Sequence, residues 1–285
     1  MNNDASHNPK AICGACPRHC RLADGATGFC RARRAENGQV ICANYGRITS
    51  FSIDPIEKKP LAFFHPGSPI LSIGSYGCNL RCPFCQNEAI SQRSEVESSW
   101  KELSPDEIVY YATRAHAEVG NIGLAYTYNE PLVGWEWVRD CARIIRSQGL
   151  LNVLVSNGCA SEGTIAELAP LTDAANIDLK GPSQDYYDWL EGDFESVCRT
   201  IRLLHQAGSH VEVTTLVVPG RNDQVPDIDA IAGFIASVSP NIPLHITRFF
   251  PRWKMPNTQP TPIGTIYKLV TVAQKRLRHV LAGNC

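Results

Sequence analysis

The chain has 285 residues, 44% of them hydrophobic and 19% charged, with a formal net charge of -1. That length suits one large α/β domain plus a small appendage, and the near-neutral charge excludes bulk electrostatic attraction to nucleic acid, so no nucleic-acid partner is expected. No run of about 18 apolar residues is available to span a membrane, and the polar start MNNDASHNPK lacks an apolar signal core, so the reading is a cytoplasmic protein without a membrane partner.

Residues 1–50 read as a cysteine-rich metal-binding segment. In CGACPRHCRLADGATGFCRARR, Cys13, Cys16, Cys20 and Cys30 supply four thiols, enough for a closed site of structural zinc or an auxiliary cluster. His19 and Cys42 compete as ligands, and zinc is slightly preferred because nothing in the sequence demands a second redox centre. Asp24-Gly25 and Asn37-Gly38 mark turns, and Arg31, Arg33 and Arg34 read as a solvated face. Without a signal core, the 12 cysteines suit metal ligation better than disulfides. The isolated Cys141, Cys159 and Cys198 are expected to be buried structural thiols. Residues 51–68, containing DPIEKKPLAFFHPGS, read as a linker passing over a surface.

From residue 69 to 285 the pattern becomes regular. Strands are expected at PILSIGS, NIGLAYTY, LNVLVS, ANIDLK, HVEVTTLVV and PLHITRF, where branched apolar residues run toward turn residues. Helices alternate with them. One opens on Ser104, Pro105 and Glu107, a capping box with Pro at the first helical position. Others end at Gly149 and Gly208, and a last one is expected over IGTIYKLVTVAQKRLRHV. Six strand–helix alternations imply a parallel sheet with right-handed crossovers, hence an α/β fold, either an open sheet or a partial (β/α)6 TIM-like barrel, with its chemistry at the carboxyl ends of the strands.

GCNLRCPFCQN follows the first of these strands and contains Cys78, Cys82 and Cys85. A cubane 4Fe–4S cluster normally takes four thiolates, so three leave one iron open to chelate a small molecule. Phe84 stands where it can shield a cluster face. A zinc knuckle completed by His65 or Cys159 is the competing reading.

The C-x3-C-x-aromatic-C loop after the first strand resembles the radical S-adenosylmethionine (SAM) superfamily. The resemblance implies that the open iron binds the amino and carboxylate groups of SAM. Reductive cleavage then gives a 5'-deoxyadenosyl radical that abstracts hydrogen from a substrate. It also implies SAM contacts at later strand ends. Asn129-Glu130-Pro131 stands at the end of the position of a Gly-Gly-Glu-Pro motif whose glycines are absent here, with Glu130 offering a carboxylate to a cation. Ser156, or Asn157, would face the SAM carboxylate or ribose. Asp178 and Lys180 share one face of their strand, as in an Asp-x-Lys that contacts SAM in activating enzymes of glycyl-radical enzymes. His245, Arg248, Arg252, Trp253 and Lys254 would suit an anionic or peptide substrate.

Further runs, including CPRHC, YGRITS, DPIEKKPL, HPGS, YTYNEP and VVPGRND, are similar to one group of pyruvate formate-lyase activating enzyme-like proteins. This is the radical SAM component of the AmmeMemoRadiSam system, and the match runs from about Cys13 to Asn284. The resemblance implies Memo-like and AMMECR1-like protein partners and reduced flavodoxin or ferredoxin as electron donor. Members often continue into a cysteine-containing tail where this chain stops at Cys285, and Val155-Ser156-Asn157-Gly158 replaces the Asp-Thr-Asn-Gly of true glycyl-radical activating enzymes. Activation of a glycyl-radical enzyme is therefore one alternative, and a non-catalytic zinc-binding scaffold is another.

Overall fold

The computed structural model describes residues 10–285. Its centre is an eight-stranded sheet whose strands are β1 (Ser50–Pro55), β2 (Pro69–Gly74), β3 (Gly123–Tyr126), β4 (Leu151–Ser156), β5 (Ala174–Asp178), β6 (His210–Val217), β7 (Leu244–Arg248) and β8 (Val280–Gly283). Each strand pairs with its neighbour in sequence. β1 runs antiparallel to β2. All later pairs are parallel. The α/β partial barrel is therefore present, with all six expected strands and two more, one at each edge.

Local chemistry explains the helices that cover it. Ser104 accepts the Glu107 N–H and caps Pro105–Val119, which ends on Gly120 at φ 73°, a left-handed conformation that glycine adopts without cost. Trp135–Ser147 and Phe194–Gln206 bury Val138, Cys141, Ile145, Val197, Cys198 and Ile201 against the sheet. Cys159 joins the same core, so all three isolated cysteines are buried thiols. The last helix is shorter than expected: Ile263–Ala273 stops early and Val280 opens the edge strand β8. No helix among the described residues is long and apolar enough to cross a membrane.

The stretch over 51–68 is a plug and a strand rather than a surface linker. Its first residues belong to β1. Ile56, Lys59 and Leu61 are buried. Lys59 Nζ lies 2.8 Å from Asp54 Oδ2, which also accepts the Tyr128 hydroxyl at 2.6 Å. Burial favours the neutral acid, but the Lys59 and Tyr128 hydrogen bonds outweigh it and hold the Asp54 carboxyl well below the usual range.

Arg33 likewise departs from the expected solvated face. It is 5% exposed and forms a two-point ion pair with Glu136, at 2.8 and 2.6 Å.

Near the amino end of β6 the plug meets Glu212, which is fully buried. Its carboxylate accepts the Ala62 N–H at 3.0 Å and the Phe63 N–H at 2.8 Å. It also lies 2.9 Å from His210 Nε2 and 2.6 Å from His245 Nε2. Burial would raise its pKa, but the bonds from both histidines and both amides bring it down to about 2. A carboxyl depressed in the folded state stabilises fully above its unfolded pKa of about 4.3, and that stabilisation is lost as pH falls through the folded value. Thermal unfolding should therefore show a progressive loss of stability from pH ~4.5 toward pH ~2, attenuated in Glu212→Gln. Glu212→Ala should cost about 3–5 kcal/mol at neutral pH in urea unfolding, because it removes a buried acceptor shared by the Ala62 and Phe63 amides and two imidazoles.

Candidate functional site

The carboxyl ends of β2 to β7 surround a cavity of about 320 Å³. Cys78, Cys82, Cys85 and Phe84 line one wall. Thr127–Glu130 after β3, Ser156 and Asn157 at β4, and Asp178 and Lys180 at β5 form the adjoining walls. The structure thus brings together every residue expected in the cluster and SAM set. It also adds Tyr128, Thr214, Leu216, Thr247 and Asn284, which sequence reasoning missed, and the plug contributes Pro60.

The cluster loop is fixed by its backbone neighbours. Gly77 has φ 91°, and a Cβ there would lie 2.5 Å from the Cys30 carbonyl oxygen, so only glycine allows this close approach. The Cys78 N–H then donates to that same oxygen at 3.1 Å. Phe84 is buried and its ring centroid lies 5.6 Å from that of Trp189. The 250–256 segment covers the loop through Lys254 N–H, which donates to Pro83 O at 3.0 Å.

Glu130 sits at the junction of three strand ends and is 3% exposed. Its Oε1 accepts the Ser156 hydroxyl at 2.7 Å and the Leu132 N–H at 3.0 Å, and its Oε2 accepts the Asn157 N–H at 2.8 Å. Its carboxylate is thus engaged chiefly in tying β3 to β4. Burial pushes its pKa up to about 7 despite these bonds. Asn129 acts similarly, accepting from Ser75 N–H at 2.8 Å and donating to Gly77 O at 3.1 Å. Asn157 donates to Asn79 Oδ1 at 2.9 Å and lies 3.5 Å from Cys78 Sγ.

Asp178 and Lys180 form an ion pair at 2.9 Å beside the thiols. Burial alone would lower the Lys180 pKa, but Asp178 and the nearby Cys82 reverse the effect and raise it. Burial pushes the Cys82 thiol up to about 12 and also raises Cys78 and Cys85. Buried thiols with such high pKa values become ligands when a positively charged centre stabilises their anions, and three of them on one cavity wall fit an iron–sulfur cluster with one open iron.

None of the five residues expected to suit an anionic or peptide substrate, His245, Arg248, Arg252, Trp253 and Lys254, lines this cavity. His245 is bound to Glu212, and Arg248 donates to Thr261 O at 2.7 Å. At the amino-terminal segment, Cys42 Sγ turns to Asn44 Oδ1 at 3.1 Å, and His19 Nδ1 lies 3.3 Å from Cys13 O. Among the described residues, no three His, Cys, Asp or Glu side chains are gathered tightly as ligands of a single metal ion.

Comparison with known proteins agrees with this geometry. The pattern of the Radical SAM superfamily matches residues 72–231. Uncharacterized protein MJ0808 of Methanocaldococcus jannaschii is 39% identical over 277 residues, covering 96% of this chain and 81% of that protein. The pyruvate formate-lyase 1-activating enzyme of Escherichia coli is 28% identical over 187 residues, covering 62% of this chain and 70% of the enzyme. A radical SAM methyltransferase from Sphaerobacter thermophilus has a similar fold, with a TM-score of 0.60 at 16% identity, covering 77% of this chain and 67% of that one. Streptococcus suis SuiB bound to S-adenosylmethionine aligns with a TM-score of 0.56 at 12% identity, over 76% of this chain and 52% of that one.

Removing the Glu130 carboxylate should loosen this junction. Glu130→Ala leaves the Leu132 and Asn157 amides without their acceptor, and we expect a stability loss of about 2–3 kcal/mol in urea unfolding. Glu130→Gln should lose less, since an amide oxygen still accepts one or two of the three bonds. Equal losses would show that the bonds contribute little.

Proposed function

The chain belongs to the radical SAM superfamily, and from that premise we propose that it is a SAM-cleaving enzyme that abstracts hydrogen from a substrate not yet identified. The convergence of Cys78, Cys82, Cys85, Asp178 and Lys180 on one cavity at the carboxyl ends of the strands carries this reading. Cys78, Cys82 and Cys85 would hold a 4Fe–4S cluster, and the site leaves its fourth iron to SAM. When bound and reduced, the cluster supplies the electron that breaks the carbon–sulfur bond of SAM and so yields the 5'-deoxyadenosyl radical.

The chain's own residues orient and enclose. Lys180, fully charged beside Asp178, offers its ammonium to the SAM carboxylate, and Asp178 offers its free oxygen to a cationic or hydroxyl group. Glu130 holds the Ser156–Asn157 turn against the cluster loop, so SAM meets a preformed wall rather than a free carboxylate. Phe84 and Leu80 exclude water from the thiol side. Beyond the ion pair, the wall from β6 and β7 presents Thr214, Leu216 and Thr247, with Asn284 after β8. That lining is neutral, and we read the reacting end of the substrate as uncharged.

Glycyl-radical activation is the second reading, supported by the 28% identity to the Escherichia coli activating enzyme. Against it stands Val155 at the position of a carboxylate in that class. The group resemblance keeps Memo-like and AMMECR1-like proteins as candidate partners and reduced flavodoxin or ferredoxin as candidate donor, in a cytoplasmic setting. DPIEKKPL, one of the runs that carries the resemblance, has a structural duty here as the barrel plug.

Anaerobically reconstituted protein with dithionite should form 5'-deoxyadenosine from SAM, measured by liquid chromatography. Cys82→Ala should reduce the yield to background. No product from protein with an intact cluster would sink the proposal, and zinc without iron in anaerobically purified protein would favour a structural scaffold.

A further inference from the structure

Tyr128 follows β3 with φ at 70°, in the left-handed region that bulky side chains avoid. The Asn129 N–H donates to Thr127 O at 2.9 Å across it, so the chain makes a γ-turn of the rare, strained hand at this residue. Strain of this kind persists only where the surroundings over-determine the conformation. At Tyr128 the backbone faces the cluster loop and the side chain faces the plug.

The turn holds both ends of the cluster loop. Before Cys78, the Asn129 side chain accepts the Ser75 N–H at 2.8 Å and donates to Tyr76 O at 3.2 Å and Gly77 O at 3.1 Å. After Cys85, the Asn87 side chain donates to Tyr128 O at 2.7 Å. The loop of residues 75–87 therefore leaves from and returns to two adjacent residues. Rotating the Tyr128 backbone out of its turn re-aims its carbonyl and the Asn129 side chain together, and so moves both ends of the three-cysteine loop.

The side chain runs the other way, toward β1 and the plug. β2 ends on Gly74, where a Cβ would lie 2.9 Å from Tyr128 Cβ and 2.9 Å from Thr127 O. The missing side chain at Gly74 makes room for the tyrosine. Its hydroxyl donates to Asp54 Oδ2 at 2.6 Å, and Lys59 Nζ lies 4.7 Å from its ring centroid. Burial and the Asp54 carboxylate push the phenol up to about 12, so it keeps its proton and remains a donor. Tyr128 also lines the cavity, together with Cys85, Asn87 and Pro60 of the plug.

We infer that Tyr128 is a positioning residue of the SAM site: its hydroxyl, seated on the Asp54–Lys59 pair of the plug, holds the strained turn that aims the cluster loop and the Asn129–Glu130 wall. With the phenol anchored at one end and the carbonyl at the other, it is a strut between the plug and the loop that carries the three thiols. It acts through the geometry of that loop and supplies no proton or electron. The inference deepens the proposed function and rests on it for what the loop binds, while the strut itself can be tested without cofactor.

Two variants separate the parts of the strut. Tyr128→Phe keeps the ring and removes the anchor, and Tyr128→Gly adopts the turn without strain and removes the strut. Both are compared with wild-type protein after anaerobic reconstitution with iron and sulfide, at a temperature well below unfolding. SAM affinity is measured by equilibrium dialysis. The change that SAM makes in the electron paramagnetic resonance spectrum of the reduced cluster is recorded alongside. We expect the SAM Kd to rise about tenfold in each variant, with a smaller spectral change at saturating SAM. Variants that melt at lower temperature yet keep the wild-type Kd and the wild-type spectral change overturn the inference, because Tyr128 is then a packing residue only.

Hydrogen–deuterium exchange of the cluster-free proteins gives a reading that needs no SAM. The amides of residues 75–87 should exchange faster in both variants than in the wild type, and unchanged protection there overturns the strut. Should Tyr128→Gly not fold, Tyr128→Phe carries both measurements. Wild-type protein that takes up no iron, or binds no SAM with its cluster intact, contradicts the proposed function instead, and the exchange result alone then decides whether the strut exists.

Discussion

The site depends on a buried carboxylate. Glu130, at the end of β3, receives the Ser156 hydroxyl and the Asn157 amide from the end of β4. Asn157, held there, reaches both Asn79 and Cys78 in the loop after β2. One carboxyl group therefore sets the positions of three neighbouring strand ends. A buried carboxylate is costly unless its oxygens are filled, and here three donors fill them. The cost is met at the place where geometry matters most, since a cofactor site is only as exact as the residues that support it.

Two further buried charges stabilise the opposite side of the barrel. Asp54 with Lys59, and Glu212 with His210 and His245, fasten the plug beneath the cavity. Pro60, between these anchors, lines the cavity itself. The floor of the site is thus held by ion pairs and amide bonds that make no contact with the thiols.

Much of the fold was legible because its signals are local. Branched apolar runs ending at turn residues marked β2 to β7, and the Ser104 capping box marked a helix start that the structure reproduces. The three-cysteine spacing and the Asp178–Lys180 alternation identified residues that do line one cavity. What escaped depends on partners distant in sequence. Asp54 and Arg33 read as surface charges, yet both are buried because Tyr128 meets Asp54 and Glu136 meets Arg33 from distant elements, and Lys59 is buried with Asp54. His245 stood at a plausible strand end, but its partner Glu212 holds it on the far side from the thiols. Edge strands were lost for a different reason. SFSIDP carries a proline and polar residues, and VLAG follows a helix without a clear stop. Tyr128 follows its strand, Thr214 and Thr247 lie within theirs, and only closure of the sheet makes them cavity walls.

The proposed chemistry requires that three thiols leave one iron free and that SAM take the open place on it. Electron–nuclear double resonance on the reduced protein, with SAM isotopically labelled at its methionine amino nitrogen, measures this contact directly. A nitrogen hyperfine coupling to the cluster should appear only with labelled SAM and vanish in Cys82→Ala. SAM that binds the protein while the reduced cluster shows no such coupling would contradict it.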